Sequence, residues 1–423
     1  MIRLSQTMIV KNEEKNIESA LSWGKDIASE QIVVDTGSVD DTVKKAEAMG
    51  AKVVYFQWID DFSAAKNFAI EQCIGDWILI LDADEFFVPE DVAKLRKIIE
   101  IADKNGYAAI KSSLTSINIH GDIISKTTQV RIIKNLKQLR YKRRIHEILT
   151  YPGSLNVYDA TKELNIIHTG YADEIVKEKH ASKRNRNLLL KELSEHPKDS
   201  EILGYLADDF AIDDREKAIQ LYNKAIENMP ENIDSIDTRC SDTFTKLIIT
   251  LGLEDKEKQI IETLMLAEKK MPQNGDFSYY TGLFFYNKEK YQEAFKYYQE
   301  AFEKLEQYGS DSNSENLFGD LLLAYAQFGN ILYECHNLKG AVSIESSVLK
   351  KDKKNYLALV TLLKALKAGK TTAEMVIGFL NKIYSFEISL DKLLIYKASN
   401  EADYKDLSDR MYDILDKSEK EML

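Results

Sequence analysis

The first hundred residues alternate short apolar runs with amphipathic stretches, and this alternation limits the fold more than any other feature of the sequence. The apolar runs have the length of β-strands, and the stretches between them have helical periodicity. The predicted strands are Leu4–Val10, Gln31–Val34, Lys52–Phe56 and Trp77–Leu81. Strands that alternate with helices form a parallel sheet that is covered on both faces. We therefore expect an α/β domain with a mixed, mostly parallel sheet over residues 1–172.

The rest of the chain changes rhythm. Residues 107–168 are less regular, and we predict further strands there, at Ile117–Ile119 and Gln129–Ile133. From Glu174 onward the periodicity is almost entirely helical. We expect a connecting helix over residues 173–197 and an all-α helical-repeat domain over residues 198–423.

Small residues recur in this helical half at a fixed spacing. The pairs that stand 12 residues apart are Leu206 and Ala218, Gly282 and Ala294, and Gly329 and Ala341. The pattern is typical of tetratricopeptide repeats, in which small residues let two paired helices approach closely. A helical bundle without repeats is the alternative. Helical arrays usually bind peptides or other proteins along a concave surface.

Charge and composition exclude several classes of protein. A net charge of −12 does not favour binding to nucleic acid or to anionic membranes. Three widely spaced cysteines form neither a disulfide framework nor a zinc spacing, which favours a reducing compartment. No apolar run approaches the roughly 18 residues of a membrane helix, and the start of the chain lacks a signal peptide's apolar core. We expect a cytoplasmic protein without an integral membrane segment or a nucleic-acid partner.

The fourth apolar run ends in three acids within four residues, Asp82, Asp84 and Glu85. Carboxylates this close repel each other unless water solvates them or a cation lies between them. In parallel sheets, ligands bind beyond the carboxyl ends of the strands, where Asp35 also falls. We expect these acids to share one crevice. An Asp-x-Asp sequence there can bind a divalent cation through oxygen ligands, and a solvated loop or a helix cap is the alternative.

Four motifs in a fixed order resemble family 2 glycosyltransferases. They are Ile9–Glu13, Val33–Ser38 with Asp41 and Thr42, Phe62–Asn67, and Leu81–Glu85. The resemblance covers about residues 1–170 and implies the GT-A fold with its Rossmann-like sheet, a UDP-sugar donor, and Mg²⁺ or Mn²⁺. Together with the helical half, it extends to bacterial enzymes that glycosylate peptides or proteins, of the sublancin S-glycosyltransferase type. The segments around Ile145–Glu147 and His168–Tyr171 support that closer likeness.

The resemblance implies a role for each matching residue. Asp35 would accept hydrogen bonds from the base or the ribose, with turn capping as the alternative. Asp82 would face the ribose or the metal, and Asp84 would be the principal metal ligand. The other residues expected to bind the nucleotide sugar are Val10, Asn12, Glu13, Gly37, Ser38, Lys66, Ala83 and Arg131. Lys66 stands where many relatives carry arginine, so it lacks the bidentate fork.

A basic segment precedes the expected acceptor side of the site. Arg131–Arg144 contains seven Lys or Arg residues and no acid, and we interpret it as a cationic rim or, alternatively, as a solvated hairpin. His146 and Glu147 follow directly. By the resemblance, His146 would bind the metal or the diphosphate, and Glu147 would be the general base that deprotonates the acceptor. His168 is the rival metal ligand, because imidazole suits manganese.

These features favour an inverting, metal-dependent transferase that moves glucose or N-acetylglucosamine from a UDP-sugar to a peptide or protein side chain held by the helical repeats. Two alternatives stay open: an interaction scaffold with a non-catalytic sugar-nucleotide domain, and a transferase that acts on a cell-envelope glycan. A dinucleotide-dependent oxidoreductase is disfavoured, because no G-x-G-x-x-G follows the first strand. The sequence does not choose between O-, S- and N-linked products, and it leaves a homodimer open.

Overall fold

The computed structural model describes residues 2–118, 120–169, 174–233, 238–309 and 314–423. The chain divides into two compact units, Met1–Pro197 and Lys198–Leu423. The first unit combines helices with a mixed sheet, and the described part of the second unit is built from helices. This confirms the expected fold class, an α/β domain followed by a helical-repeat domain.

The first unit contains five helices and eleven strands among its described residues. The strands are β1 (Leu4–Val10), β2 (Glu30–Asp35), β3 (Lys52–Tyr55), β4 (Trp77–Ile80), β5 (Glu85–Phe87), β6 (Ala109–Ile117), β7 (Ile123–Lys134), β8 (Arg140–Lys142), β9 (Ile148–Thr150), β10 (Val157–Asp159) and β11 (Asn165–His168). The helices are α1 (Ile17–Ser22), α2 (Thr42–Ala48), α3 (Phe62–Glu71), α4 (Pro89–Lys104) and α5 (Glu174–Glu195). The strand expected at residues 117–119 ends at Ile117 as β6, and residue 119 lies outside the described residues.

Strand order in the large sheet is β3-β2-β1-β4-β7-β6-β11-β5, with β10 paired to β6. β1 runs parallel to β2 and β4, and β2 runs parallel to β3. β7 is antiparallel to both of its neighbours, β4 and β6. The carboxyl ends of β1, β2 and β4 therefore meet at one edge of the sheet, as expected for a parallel arrangement.

Both faces of β4, a central parallel strand, are buried. On one face, Trp77 and Leu79 of β4 pack in a cluster with Leu95 and Ile98 of α4. On the other face, Ile78 of β4 packs in a cluster with residues of β2 and α3. Burial on two sides explains why this strand is a nearly continuous apolar run and why the acids begin only where β4 ends.

The second unit is a series of helices that pack mainly on their neighbours in sequence. They are α6 (Ser200–Phe210), α7 (Arg215–Glu227), α8 (Thr238–Leu253), α9 (Glu257–Lys270), α10 (Asp276–Asn287), α11 (Tyr291–Tyr308), α12 (Glu315–Gly319), α13 (Leu321–Glu334), α14 (Leu338–Lys351), α15 (Tyr356–Ala368), α16 (Ala373–Leu380), α17 (Ser389–Glu401), α18 (Lys405–Asp413) and α19 (Lys417–Lys420). α6 packs on α7, α10 on α11, and α13 on α14. None of the described helices has the length and apolar character needed to cross a bilayer.

The repeated small residues lie at the contacts between paired helices. A Cβ at Gly282 of α10 would lie 2.7 Å from Cδ2 of the fully buried Tyr298 of α11. The Tyr298 ring cannot easily retreat, because its hydroxyl donates a 2.7 Å hydrogen bond to Gln327 Oε1 on α13. Glycine at this position therefore permits the close approach that the repeat pattern predicted.

Gly282→Ala is expected to lower the free energy of unfolding of the helical unit by about 1–2 kcal/mol, because overpacking against Tyr298 outweighs the better helix propensity of alanine. Gly378→Ala in α16 is the matched control. A Cβ there meets no atom within 4 Å, so that variant should be neutral or slightly stabilised. Urea unfolding followed by far-UV circular dichroism tests both variants. Equal effects from the two would contradict the packing argument.

Candidate active site

A pocket of about 460 Å³ opens at the carboxyl-terminal edge of the parallel strands, within the first unit. It collects most of the residues that the sequence singled out. The predicted residues that line it are Val10, Glu13, Lys66, Asp82, Ala83, Asp84, His146, Glu147 and His168. Side chains far apart in sequence thus come together in one cavity that contains carboxylates, imidazoles and an ammonium group.

Arg131 explains how three acidic side chains can lie close together after the end of β4. Its Nη2 atom lies 2.9 Å from Asp82 Oδ2 and 2.5 Å from Glu85 Oε1. The backbone N–H of Asp82 also donates to Glu85 Oε2, at 3.1 Å. One buried guanidinium therefore bridges two of the three carboxylates, and its single positive charge offsets part of their repulsion.

These contacts set the protonation of the cluster. Burial by itself would raise the pKa of Asp82, but the positive charges of Lys66 and Arg131 outweigh it and hold the pKa at about 2. Burial and the charge of Asp82 raise the pKa of Glu85. Glu85 was not among the predicted site residues, although it belongs to the same acidic motif. Its burial beside Arg131 was not visible in the sequence.

Asp84 is paired with His168 across the junction of β5 and β11. The two strands are antiparallel, with His168 opposite Glu85, and this register brings His168 Nε2 to 3.2 Å from Asp84 Oδ2. His168 Nδ1 lies 3.2 Å from Ser116 Oγ of β6, so both ring nitrogens have polar neighbours. The hydrogen bond with Asp84 raises the pKa of His168, and burial opposes this effect.

Lys66 of α3 forms an ion pair with Glu147, with Nζ 2.9 Å from Oε1. Burial lowers the pKa of the Lys66 ammonium, but the charges of Asp82 and Glu147 outweigh burial and keep it above its ordinary value. Lys66 is therefore a permanent cation between two acids of the pocket.

Hydrogen bonds from α3 hold in place the segment that leads to Glu147. Asn67 Nδ2 donates to Tyr141 O and Asn67 Oδ1 accepts from Tyr141 N, both at 2.9 Å. Ser63 Oγ donates to Arg143 O, and the N–H of Phe62 donates to Arg144 O. The Phe62–Asn67 motif thus positions the backbone just before His146 and Glu147. His146 itself has a left-handed backbone, with φ of 51°.

Asp35, Asn12, Gly37 and Ser38 lie beside the pocket and are not among its lining residues. The Asp35 carboxylate accepts from the backbone N–H groups of Gly37 and Ser38, at 3.1 Å each. This is the turn-capping contact that the sequence left open as the alternative. Asn12 and Ser38 are joined by a 2.9 Å hydrogen bond, from the Asn12 N–H to Ser38 Oγ.

The basic segment 131–144 is extensively paired. Besides Arg131, Lys134 Nζ lies 2.7 Å from Asp103 Oδ1, and Arg144 Nη2 lies 2.6 Å from Glu195 Oε1. Arg140 Nη1 donates to two backbone carbonyls, those of Leu136 and Leu139. These four cations are paired within the fold. The interpretation of the segment as a cationic rim is therefore not supported for these four residues.

The described residues of the pocket offer part of the ligand set of a divalent cation. Among the described residues, no three His, Cys, Asp or Glu side chains are grouped closely enough to hold a metal by themselves. Asp84 and His168 nevertheless direct one carboxylate and one imidazole into the pocket, a combination that suits Mn²⁺. A cation there would take its remaining ligands from substrate phosphates and water. Asp82 would join them only by giving up its contact with Arg131.

Arg184 of α5 is a pocket residue that sequence reasoning missed. Its guanidinium carbon lies 5.3 Å from the centre of the Phe62 ring, in a cation–π contact. Burial lowers the pKa of Arg184. The cluster of basic residues after position 182 was the one signal in the sequence for this residue, but the solvated face of a helix would show the same pattern.

Comparison with known proteins gives a family match within the first unit and relatives that match about half of the chain. Residues 5–164 match the family described as Glycosyl transferase family 2. A TPR repeat-containing protein of Synechococcus elongatus is 30% identical over 214 residues, which are 49% of this chain and 52% of that protein. The SPbeta prophage-derived glycosyltransferase SunS of Bacillus subtilis is 29% identical over 225 residues, 52% of each chain. The chain spans about half the length of these two curated relatives.

Among solved structures, S. aureus TarS 1-349 in complex with UDP-GlcNAc is similar over 61% of this chain and 92% of that chain. The sequence identity is 14% and the TM-score is 0.38.

Proposed function

We propose that this chain, whose residues 5–164 form a family 2 glycosyltransferase domain, moves a hexose from a UDP-sugar to an acceptor with inversion at the anomeric carbon and with a bound divalent cation. The hexose is glucose or N-acetylglucosamine. The acceptor is a peptide or protein side chain, and the reaction takes place in the cytoplasm. Residues 1–172 are the catalytic domain, residues 173–197 connect, and residues 198–423 hold the acceptor.

One observation carries this proposal: the Asp84–His168 pair and the Lys66–Glu147 pair line the same pocket. The first pair offers two of the ligands of a divalent cation, and the second offers a carboxylate and a fixed positive charge. Both serve group transfer from a sugar nucleotide, because the leaving diphosphate is anionic and the acceptor must lose a proton.

On the donor side, the chain's own residues bind and orient the nucleotide sugar. Asp35 at the end of β2 retains acceptor capacity beyond its two backbone hydrogen bonds, and it would take the base or the ribose. Glu13 in the pocket, and Asn12, Gly37 and Ser38 beside it, would contact the nucleoside. Asp84 and His168 would hold Mg²⁺ or Mn²⁺, which supplies Lewis-acid stabilisation of the leaving diphosphate.

On the acceptor side, Glu147 accepts the proton from the attacking hydroxyl or thiol group. The ion pair with Lys66 fixes the direction of the carboxylate, while Oε2 remains as a second acceptor oxygen. Lys66 also places positive charge between Glu147 and Asp82, so it balances the acids on both sides of the sugar. His146, from the same turn, lines the pocket and can contact the diphosphate.

The proposal of a peptide or protein acceptor is supported by the second unit. Helical repeats present an extended surface suited to other polypeptides, and the two curated relatives named above are called a TPR repeat-containing protein and a glycosyltransferase. Mass spectrometry of peptides and proteins co-expressed with the chain is the measurement that checks this part. An added hexose or acetylhexosamine on a side chain is the expected result.

Release of UDP from UDP-glucose or UDP-N-acetylglucosamine tests the donor half directly. The full chain is expected to hydrolyse at least one of these donors slowly with Mn²⁺ or Mg²⁺, and to stop when the metal is chelated. UDP release that continues after the metal is chelated, or no release with any UDP-sugar, would favour an interaction scaffold instead.

His168→Gln is expected to raise the Mn²⁺ concentration for half-maximal UDP release by about 10–100-fold, the usual cost of losing a residue that binds or orients at a metal site. His196→Gln is the matched control, because His196 is exposed at the end of α5 and outside the pocket. A metal titration of the two variants separates a ligand at the site from a general effect of losing an imidazole. An unchanged Mn²⁺ requirement in His168→Gln would remove this residue from the proposed metal site.

A further inference from the structure

The β6–β7 hairpin extends past the end of β4, and this leaves part of one edge of β7 unpaired within the described residues. β7 pairs with β6 from Ile123 to Ile133, but with β4 only over residues 132–134. Among the strands that the structure describes, residues 123–131 therefore have a partner on one side only. The side chains of residues 123–129 are exposed, including Ile123 at 57% and Ile124 at 48%.

This open edge leads into the candidate active site. Arg131, at its inner end, contacts Asp82 and Glu85. β4 stops at Ile80, and the chain then turns through Asp82–Asp84, which line the pocket. A strand added beside residues 123–130 would continue the line of β4, so one of its ends would reach the pocket. At about 3.3 Å per residue, the six steps from Ser125 to Arg131 span about 20 Å.

The backbone groups of this edge indicate which kind of ligand can bind there. Alternate residues of β7 direct their N–H and C=O groups away from β6, and an extended polypeptide backbone is the ligand that matches such a row. Soluble proteins usually protect an edge of this length with proline or several charges. Residues 124–130, with the sequence ISKTTQV, contain no proline and a single charge, at Lys126.

We propose that β7 residues 123–130 bind the acceptor as an added β-strand, an extended peptide segment of about six to eight residues whose hydroxyl- or thiol-bearing side chain lies at the pocket end. The inference rests on the proposed function, because it specifies how that function's acceptor is held next to Glu147. Backbone pairing gives affinity and fixes the direction of the peptide, and it requires little of the peptide's sequence. The helical repeats add selectivity for the acceptor. A second copy of this chain could pair with the same edge, and the experiment below separates the two occupants.

Hydrogen exchange of the full chain, with UDP and Mn²⁺ present, tests the proposal. The probe is a pool of synthetic 12-residue peptides, each with a central Ser, Thr or Cys. The pool is expected to slow exchange at least tenfold at the outward-facing amides of residues 123–130. Protection confined to the helical unit, or no added protection, would overturn it. Edge amides already protected without peptide, in a sample that sediments as a dimer, would assign the edge to a second copy.

Proline substitutions locate the effect on the backbone. In a strand, adjacent amides point to opposite sides, so of Ser125→Pro and Lys126→Pro one removes an outward donor and the other removes a bond to β6. The faster-exchanging amide of the free chain identifies the outward one. Its proline variant should lose the peptide-induced protection, whereas Lys126→Ala should keep it. If the proline variant does not fold, as judged by tryptophan fluorescence, the exchange patterns of the wild-type chain and of Lys126→Ala decide.

Failure of this inference and failure of the proposed function give different results. Metal-dependent UDP release by the wild-type chain measures the donor half and needs no peptide. Release without edge protection overturns only the inference. Absence of release contradicts the proposed function, whatever the edge amides show.

Discussion

Replacing Asp84 with asparagine is expected to reduce sugar transfer about a thousandfold, which corresponds to about 4 kcal/mol of lost transition-state stabilisation. Asparagine keeps the shape of the side chain and removes the negative charge that a divalent cation requires. Because Asp84 faces the pocket and contacts His168, the loss should appear in the metal-dependent rate, while the fold is retained. Initial rates of UDP release over a range of Mn²⁺ concentrations measure it.

Asp26→Asn is the matched control for this prediction. Asp26 is exposed and lies outside the pocket, so the same chemical change there should leave the rate within about twofold of the wild-type value. A rate for Asp84→Asn close to that of the control would exclude Asp84 as the principal metal ligand. It would leave Asp82, after release from Arg131, as the remaining carboxylate of the motif that faces the pocket.

Glu345→Gln is expected to stabilise the helical unit by about 3 kcal/mol at pH 7, since burial raises the pKa of Glu345 to about 9. Its side chain is fully buried in α14, and within the described part of the chain neither carboxylate oxygen has a hydrogen-bond partner. The folded unit therefore keeps this acid protonated at neutral pH. The unfolded chain, with a pKa near 4.5, releases the proton.

The sign of the pH dependence follows from this difference in bound protons. Between about pH 4.5 and pH 9 the folded unit binds one more proton than the unfolded chain, so its stability falls as pH rises, by about 1.4 kcal/mol per pH unit. Glutamine does not titrate, so the variant should lack this slope, and its advantage should disappear below about pH 4.5. The exposed Glu306, changed to glutamine in α11, is the control that should retain the slope.

The position of the tryptophans allows a clean measurement. All three tryptophans, Trp23, Trp58 and Trp77, belong to the first unit, so their fluorescence reports on that unit alone. Far-UV circular dichroism is dominated by the more numerous helices of the second unit, and the helices of the first unit also contribute. In urea titrations at pH 5, 7 and 8.5, only the circular dichroism transition should move in Glu345→Gln. A wild-type transition independent of pH would contradict the buried neutral acid.

Much of the fold was predictable because local pattern and tertiary structure agree there. β1 has the predicted bounds, Leu4–Val10, and the other three early strands differ from prediction by one residue at each changed end. β1, β2 and β4 are largely buried, so their composition alone marks them, whereas β3 lies at the edge of the sheet and is only partly buried. The residues after position 107 were harder to interpret, because β7 pairs with β4, and β10 and β11 pair with β6, across long stretches of sequence, and these strands carry mixed polar and apolar residues.

In the candidate site, too, one part could be predicted from the sequence and another part could not. That Asp82 and Asp84 reach the pocket follows from one strand and its end, which a sequence displays. The partners of these acids, Arg131 and His168, come from β7 and β11, and only the pairing of distant strands reveals which cation meets which carboxylate. A sequence shows that charges are present, but it does not show how the register of antiparallel strands matches them.

The pairing of β5 with β11 has a consequence for synthesis on the ribosome. Asp84 emerges before His168, and Arg131 and Glu147 are made in between, so a nascent chain completes the parallel strands β1 to β4 while the other half of the pocket does not yet exist. The full set of pocket side chains therefore comes together only after residue 168 is made and β11 pairs with β5. A chain that stalls before that strand would be compact in its first strands and chemically silent.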